Sequence, residues 1–182
     1  MPKDLMLIAP PFRTYFKKDG VLDDFKKKYD LPYGLLSIAS FLYVKGFEVS
    51  ILPTDYYHKH IYETQNHFLG HQKKIIESEL KKQNPQIVGI TAYTVQYPNA
   101  VRIFRIVKKI NPDIITVAGG PHVMFMDKEA LDTGVIDIVV RGEGDWIMLE
   151  LMEKVKKGEF YGNIQGISYK KDNQIIRTPE RS

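Results

Sequence analysis

Two glycine-rich segments in the second half of the chain carry the residue types best suited to holding a ligand against bare backbone. Gly-Gly-Pro-His occupies 119–122 and Gly-Glu-Gly occupies 142–144, and each follows a short β-branched apolar run. Glycine lacks a Cβ, so a ligand can approach the backbone of such segments closely. Strand, glycine turn and helix follow one another twice, a pattern that indicates a parallel sheet. We therefore expect both segments at the carboxyl edge of that sheet, forming a surface for a large ligand.

Two further loops are expected at the same edge. Pro-Pro at 10–11 follows the apolar run 5–9, and Thr-Ala-Tyr-Thr at 91–94 follows the run 87–90. None of the four loops contains the lysine and Ser/Thr pair of a P-loop. The first predicted strand is not followed by Gly-x-Gly-x-x-Gly, the turn of dinucleotide-binding folds. The acidic cluster and the lysine that are typical of a phospho-acceptor receiver domain are missing as well.

The elements that must position these loops alternate along the chain. Apolar runs predict strands at 5–9, 47–52, 87–90, 114–117 and 136–140. Helical spacing predicts helices at 35–44, 72–83, 98–110 and 145–157, and Asp127 or Asp132 predicts a short one between strands four and five. Lys-Asp-Asn at 171–173 predicts the turn of a hairpin. The sequence therefore predicts an α/β fold: a doubly wound, five-stranded parallel sheet with flanking helices and a C-terminal β-hairpin.

Composition excludes several classes of site. The 182 residues carry a formal net charge of +4, with lysine pairs and triplets scattered over separate elements. Nucleic acid is therefore not an expected partner. The chain has no cysteine, which excludes disulfides, cysteine-bound zinc, iron–sulfur clusters and thiol catalysis within it. No apolar run reaches about 18 residues and no signal-peptide pattern begins the chain, so we expect no membrane span and a cytoplasmic location.

A histidine-rich stretch offers the alternative of a metal site. Glu63, His67 and His71 are spaced four apart, which aligns them on one face if the segment is helical. His-x-His at 58–60 lies just before them. Zinc or nickel can use such ligands, but Gly70 weakens a helix there. We expect solvated histidines and no metal site.

Five motifs, in order along the chain, resemble the N-terminal domain of cobalamin-dependent radical SAM enzymes. They are Pro32-Tyr33-Gly34-Leu35 with Ala39, Gly46-Phe47-Glu48-Val49, Gly119-Gly120-Pro121-His122, Gly142-Glu143-Gly144-Asp145, and the tail Ile164-x-Gly166-Ile167-x-Tyr169 with Pro179 and Arg181. The loop at 91–94 and the double glycine also resemble the Ser-x-Leu and Gly-Gly pair of cobalamin-binding domains. The resemblance extends from Leu5 to Arg181 and implies a flavodoxin-like core that binds cobalamin.

The resemblance also implies a role for each loop. The loop 91–94 and the double glycine accommodate the nucleotide tail of the cofactor, 10–13 and 33–34 face the lower side of the corrin, and 142–144 closes its flank. The implied cofactor-binding residues are Pro10, Pro11, Phe12, Arg13, Tyr33, Gly34, Thr91, Ala92, Tyr93, Thr94, Gly119, Gly120, Pro121, His122, Gly142, Glu143 and Gly144. No catalytic residue and no metal ligand is expected in this chain.

Two motifs of the family are missing from this sequence, and each absence affects what we expect of the cofactor and the domain organisation. No Asp-x-His-x-x-Gly follows the first strand, so the resemblance implies cobalamin without a histidine lower ligand from that loop. The cysteine triplet that holds a 4Fe–4S cluster is also missing. We therefore expect residues 1–160 to form a cobalamin-binding, Rossmann-like domain, and 161–182 to lead into a radical SAM domain outside the given sequence. The resemblance implies that this partner domain holds the 4Fe–4S cluster and S-adenosylmethionine. We therefore expect that this chain alone is not catalytic and that the full-length protein is a radical SAM methyltransferase-like enzyme acting on a small molecule.

Each motif also has a plain structural interpretation. The double glycine could form a tight turn without a ligand, and Thr91 and Thr94 could serve as turn and capping hydroxyls. His122 could bond only within its own loop, and Glu143 could simply stabilise the positive end of a helix. The alternative function is therefore a Rossmann-like domain that has lost cobalamin and serves as an interaction or small-ligand-binding module.

Overall fold

The computed structural model describes residues 3–10, 32–54 and 65–181, without the side chains of 65–68. The strands in these residues are β1 (Leu5–Ala9), β2 (Val49–Pro53), β3 (Ile87–Thr91), β4 (Ile115–Gly119), β5 (Ile138–Val140), β6 (Ile167–Lys171) and β7 (Gln174–Arg177). The helices are α1 (Tyr33–Val44), α2 (Gln65–Gln83), α3 (Tyr97–Ile110), α4 (Pro121–Phe125), α5 (Asp127–Asp132) and α6 (Gly144–Lys157).

All seven strands form one sheet in the order β2-β1-β3-β4-β5-β6-β7. The pairs from β2 to β5 are parallel, and β6 and β7 continue the sheet as antiparallel strands. The α/β fold predicted from the sequence is confirmed, but the sheet has seven strands rather than five. It is larger because the free backbone edge of β5 pairs with the hairpin. The reversal of strand order at β1 and β3 creates the crevice in which open α/β sheets bind ligands.

Side chains alternate between two hydrophobic cores, one on each face of the sheet. Ile87 belongs to the core that α1 and α6 cover, whereas the next residue, Val88, belongs to the core that α2 and α3 cover. Strand residues point alternately to opposite faces, so continuous apolar runs are what a strand buried on both faces requires. This arrangement places helices on both faces, and the β-to-α loops at the carboxyl edge stay free to form a site.

Several element boundaries differ from the sequence prediction by one or more residues. β2 begins at Val49 rather than at 47, and α6 begins at Gly144 rather than at 145. α2 begins at Gln65 rather than at 72 and contains Gly70. The buried Gln72 accepts a hydrogen bond from Arg102 of α3. The first turns of α2 are thus supported by a polar contact that apolar periodicity does not reveal.

The hairpin is fastened to α5 by a buried carboxylate. Its turn residues Asp172 and Asn173 both have positive φ, +49° and +62°, as a two-residue turn between twisted strands requires. Arg177 of β7 donates to both oxygens of Asp127, at 2.7 and 2.8 Å, and the Ser168 hydroxyl donates to the same carboxylate at 2.7 Å. The hydrogen bonds from Arg177, ahead of the other partners, lower the pKa of Asp127 to about 2. The hairpin is therefore bound to the sheet and to a helix.

Candidate functional site

The loops that follow β3 and β4 are joined at the carboxyl edge of the sheet. Thr91 lies opposite Gly119 in the parallel register. The amide of Ala92 donates to the Gly119 carbonyl at 3.0 Å, and the amide of His122 donates to the Ala92 carbonyl at 3.4 Å. Strand pairing thus continues beyond the ends of the strands, and the segments 91–94 and 119–122 form a single surface.

Gly120 is where these two loops come into closest contact. Its φ of +98° is a conformation that residues with a Cβ rarely adopt. A Cβ at this position would also lie 2.6 Å from Thr91 Oγ1 and 2.9 Å from the Ala92 nitrogen. Both the backbone conformation and the close approach therefore require glycine at 120.

Gln96 ties the end of β1 to the loop after β3. Its side-chain amide donates to the Pro10 carbonyl at 2.9 Å, and its Oε1 accepts from the Tyr93 amide at 3.2 Å. The side chain is only 6% exposed. The sequence motifs missed this residue, because a buried amide whose partner lies on another strand leaves no local pattern. The one indication in the sequence is that Gln96 directly precedes the helix that begins at Tyr97.

The rings of His122 and Tyr97 pack against each other where the two loops are joined. The His122 Nδ1 lies 3.3 Å from Thr94 Oγ1, and the His122 ring lies 4.1 Å from the ring of Tyr97. Within the described residues, the buried His122 Nε2 and Tyr97 hydroxyl have no hydrogen-bond partner. Burial also raises the pKa of Tyr97. His122 therefore contacts the neighbouring loop through Nδ1, while its Nε2 is buried without a partner among the described residues.

The segment 142–144 begins with an exposed glycine and ends against α1. Gly142 has a φ of +126° and open space around it, and Glu143 is exposed. A Cβ on Gly144 would lie 2.8 Å from Ile38 Cδ1, so the absence of a side chain there lets α6 approach α1. Ser37 of α1 and Asp145 of α6 face each other at 3.4 Å.

Arg141, directly before this segment, fastens the chain that follows the hairpin. Its backbone amide donates to the Gly166 carbonyl at 2.7 Å, and its guanidinium donates to the carbonyls of Ile167 and Thr178. The Gly166 amide in turn donates to the Pro179 carbonyl at 2.7 Å. The Arg141 guanidinium therefore binds backbone carbonyls of the hairpin and of the residue that follows it.

A small apolar cavity lies on the α1 and α6 face of the sheet, directly below the joined loops. The strands contribute Leu7, Gly89, Thr91, Val117, Gly119 and Val140. The helices contribute Leu35, Ile38, Gly144 and Met148. Its volume is about 40 Å³, and a cavity of that size costs on the order of 1 kcal/mol in lost packing. Three glycines surround this space, so the fold keeps an unfilled apolar slot where the strand order reverses.

The remaining predicted site residues that the structure describes do not line the slot, and they differ in exposure. Pro10 is buried at the end of β1, and Pro121 is exposed at the start of α4. Tyr33 is 74% exposed on the first turn of α1, next to the exposed Gly34. Pro11, Phe12 and Arg13 lie outside the described residues, as do the structures of His58, His60 and Glu63 and the side chain of His67.

Large apolar side chains remain exposed on the two joined loops and in the residues that directly follow them. Tyr93 is 50% exposed and Val95 is 65% exposed after β3, while Phe125 at the end of α4 is 77% exposed. Met124 and Met126 flank Phe125 and are exposed as well. We call these five residues the edge patch. Large exposed apolar side chains of this kind are typical of a surface that another molecule or domain covers.

Within residues 3–10, 32–54 and 65–181, no helix is both long and apolar enough to cross a membrane. In the same part of the chain, no three histidine or acidic side chains gather into a cluster that could hold a metal ion.

The chain is similar to proteins of one family over most of its length. The family model described as the B12 binding domain matches residues 28–152. An uncharacterized methyltransferase of Pyrococcus horikoshii is 40% identical over 103 residues, which cover 56% of this chain and 22% of that protein. The cytidylyl-2-hydroxyethylphosphonate methyltransferase of Streptomyces wedmorensis is 28% identical over 182 residues, covering 96% of this chain and 33% of that protein. The chain thus spans between a fifth and a third of these relatives.

A solved structure has the same fold. The radical S-adenosylmethionine methyltransferase TsrM of Kitasatospora setae, with cobalamin and a [4Fe-4S] cluster bound, superposes with a TM-score of 0.73. The match covers 100% of this chain and 30% of that one, at 20% sequence identity. At this identity the similarity is evidence for the fold alone.

Proposed function

The chain belongs to the B12-binding domain family, and we propose that it holds cobalamin at the carboxyl edge of its sheet, as one domain of a larger radical S-adenosylmethionine methyltransferase. The family resemblance found in the sequence is confirmed at the level of the cobalamin-binding domain. The proposal for the larger enzyme is supported by the relatives, which are methyltransferases by name and much longer than this chain.

One observation carries the proposal: the slot bounded by Gly89, Gly119 and Gly144 lies directly beneath two loops joined by hydrogen bonds. The group that must fit is a flat macrocycle with a nucleotide tail. A side-chain-poor edge suits the close approach of a large ring, and an apolar slot suits the aromatic base of the tail. The residues present therefore fit cobalamin.

Each part of the edge has a role in this proposal. The loop 91–94 and Gly119 border the entrance of the slot, and Gly120 lets these two loops close against each other. Gln96 keeps Pro10, at the end of β1, in register with them. The segment 142–144 forms the flank next to α6, and Tyr33 with Gly34 forms the flank next to α1. Pro11, Phe12 and Arg13 remain proposed contacts to the lower face of the corrin.

The edge patch of Tyr93, Val95, Met124, Phe125 and Met126 is the surface proposed to face the rest of the enzyme. Residues 161–182 are the proposed connection, because Arg141 binds the chain after the hairpin to the same edge. The radical SAM domain, its 4Fe–4S cluster and S-adenosylmethionine belong to that proposed partner. When bound, cobalamin supplies methyl-group transfer; this chain's own residues bind it, orient it and exclude water from its lower side.

The binding test uses the chain with hydroxocobalamin, followed by desalting and measurement of the retained corrin absorbance. We expect the wild-type chain to retain corrin, and Gly119→Leu to lose it, because a leucine at 119 projects into the slot. Gly70→Leu is the matched control, since Gly70 lies on α2 with no atom within 4 Å of an added Cβ. Equal retention by the two variants would place the cofactor elsewhere.

A folded wild-type chain that retains no corrin would instead support the alternative, a domain that has lost cobalamin. The edge patch is the observation that favours this alternative, because exposed apolar side chains suit an interaction module equally well. A thermal-shift comparison of nucleotides with cobalamin separates the small-ligand form of the alternative from the pure interaction module.

A further inference from the structure

A buried polar contact joins α2 to α3 on the face of the sheet opposite the slot. Gln72, Ile76 and Leu80 are spaced four apart and are all buried, so they lie on one face of α2. Gln72 thus stands where the next two turns carry aliphatic side chains. Its Oε1 accepts a hydrogen bond from the Arg102 guanidinium of α3. Its Nε2 is buried and has no hydrogen-bond partner among the residues that the structure describes, which leaves an amide donor unpaired in the interior.

The Arg102 guanidinium is partly buried without an opposite charge beside it. Burial lowers the pKa of Arg102, and no neighbouring carboxylate in the described part of the chain offsets this effect. The two acidic residues on α2 have other partners. Glu77 pairs with Lys73 at 3.6 Å, and Glu79 pairs with Lys82 at the same distance. A guanidinium has five N–H donors, so the contact with one neutral amide oxygen leaves both the charge and further donors of Arg102 without a matching acceptor.

We propose that Arg102 and Gln72 form a binding site for the carboxylate of a small organic acid, which is reached from the partly exposed side of Arg102. Both unmatched groups are donors, so the ligand must be an acceptor with negative charge. A carboxylate has two oxygens in one plane, which fit the fork of a guanidinium. Its single charge balances that of Arg102, and one of its oxygens accepts from the Gln72 amide. The site is independent of the proposed cobalamin site, because the two lie on opposite faces of the sheet.

An NMR titration of the ¹⁵N-labelled chain with sodium acetate tests this site. The measured quantities are the shifts of the backbone amide signals at 72 and 102 and of the Arg102 Nε–H signal. Sodium chloride and inorganic phosphate, each at matched ionic strength, are titrated in parallel. In the wild type we expect saturable shifts of these signals with acetate, no saturable shift with chloride, and weaker binding of phosphate than of acetate.

Variants of the two residues identify the groups that bind acetate. Arg102→Met should weaken acetate binding by about ten- to a hundredfold, because it removes a charged hydrogen-bond donor. Arg105→Met is the matched control and should leave the acetate affinity unchanged, since Arg105 lies on the same helix but is exposed. Gln72→Glu places a carboxylate next to Arg102 within the chain, so it should abolish the acetate response and raise the melting temperature. It serves as the second variant if Arg102→Met does not fold.

Four results would overturn the inference. Equal shifts with chloride and acetate would show only a general response to anions. Tighter binding of phosphate than of acetate would contradict the assignment of a carboxylate. An acetate response that Arg102→Met or Gln72→Glu retains would place the ligand elsewhere, and folded wild-type chain without any response would show that no such site exists. Each of these results leaves the proposed function intact, because corrin retention is measured separately and on the other face of the sheet.

Discussion

The ion pair between Asp127 and Arg177 predicts a measurable, pH-dependent part of the stability of this fold. Asp127 is 3% exposed and accepts hydrogen bonds from Arg177 and Ser168. These contacts lower its pKa from the ordinary 3.8 to about 2. By linkage, a pKa lowered to this extent corresponds to roughly 2 kcal/mol of unfolding free energy. Asp127→Asn should therefore reduce stability at neutral pH by about 2 kcal/mol.

The sign of the pH dependence follows from the lowered pKa. The carboxylate stabilises the folded state fully above its unfolded pKa of about 4, and the stabilisation is lost as pH falls toward the folded pKa of about 2. Urea denaturation of wild type and Asp127→Asn at pH 7, 5, 3 and 2.5 measures the difference. We expect the difference in unfolding free energy between the two proteins to be constant from pH 7 to 5 and to fall to roughly half of that value by pH 3.

A matched control separates this effect from the loss of any carboxylate. Asp132 lies on the same helix and pairs with Lys128 and Lys170, but it is exposed to solvent. Asp132→Asn should therefore reduce the unfolding free energy much less than Asp127→Asn, because water screens exposed ion pairs. A stability gap for Asp127→Asn that stays the same between pH 7 and pH 2.5 would refute the assignment of this free energy to the ion pair.

Three further changes have expected outcomes. Gly120→Ala should cost more unfolding free energy than Gly134→Ala in urea denaturation. Replacing Gly134, at φ +69° with open space around it, should cost about 1–2 kcal/mol, whereas Gly120, at φ +98° and ψ 172°, has a conformation that is essentially restricted to glycine, and its Cβ would also clash with the 91–94 loop; equal costs would contradict the close approach. Gln96→Leu should reduce corrin retention and lower the unfolding free energy by about 1–3 kcal/mol. Gln96→Glu should have an intermediate effect, because it keeps only the acceptor for the Tyr93 amide. Unchanged corrin affinity in both variants would argue against a role for this residue at the site. Arg141→Met should raise hydrogen-exchange rates at 178–181, because the Thr178 carbonyl loses its guanidinium donor. Unaltered protection there would show that the guanidinium does not hold this segment in place.

Most of the fold could be predicted from the sequence because its signals are local. Strands buried on both faces need continuous apolar runs, and the runs at 5–9 and 87–90 became β1 and β3. The turn at Asp172 and Asn173 was likewise visible in its residue types. The joining of the hairpin to β5 was not visible, because the pairing of two edges depends on which backbone groups remain free after the sheet has formed.

The candidate site divides in the same way. Residue types alone marked the segments 91–94, 119–122 and 142–144, because glycine after a strand lets a ligand approach the backbone. The order of these segments carried the family resemblance. Three relations became known only from the tertiary structure. Gln96 donates a hydrogen bond to the Pro10 carbonyl, Arg141 donates to the backbone of the hairpin, and Gly89 and Gly144 border one apolar slot. These relations join residues far apart in the chain, and only the packing of α1 and α6 against the sheet determines the distances between them.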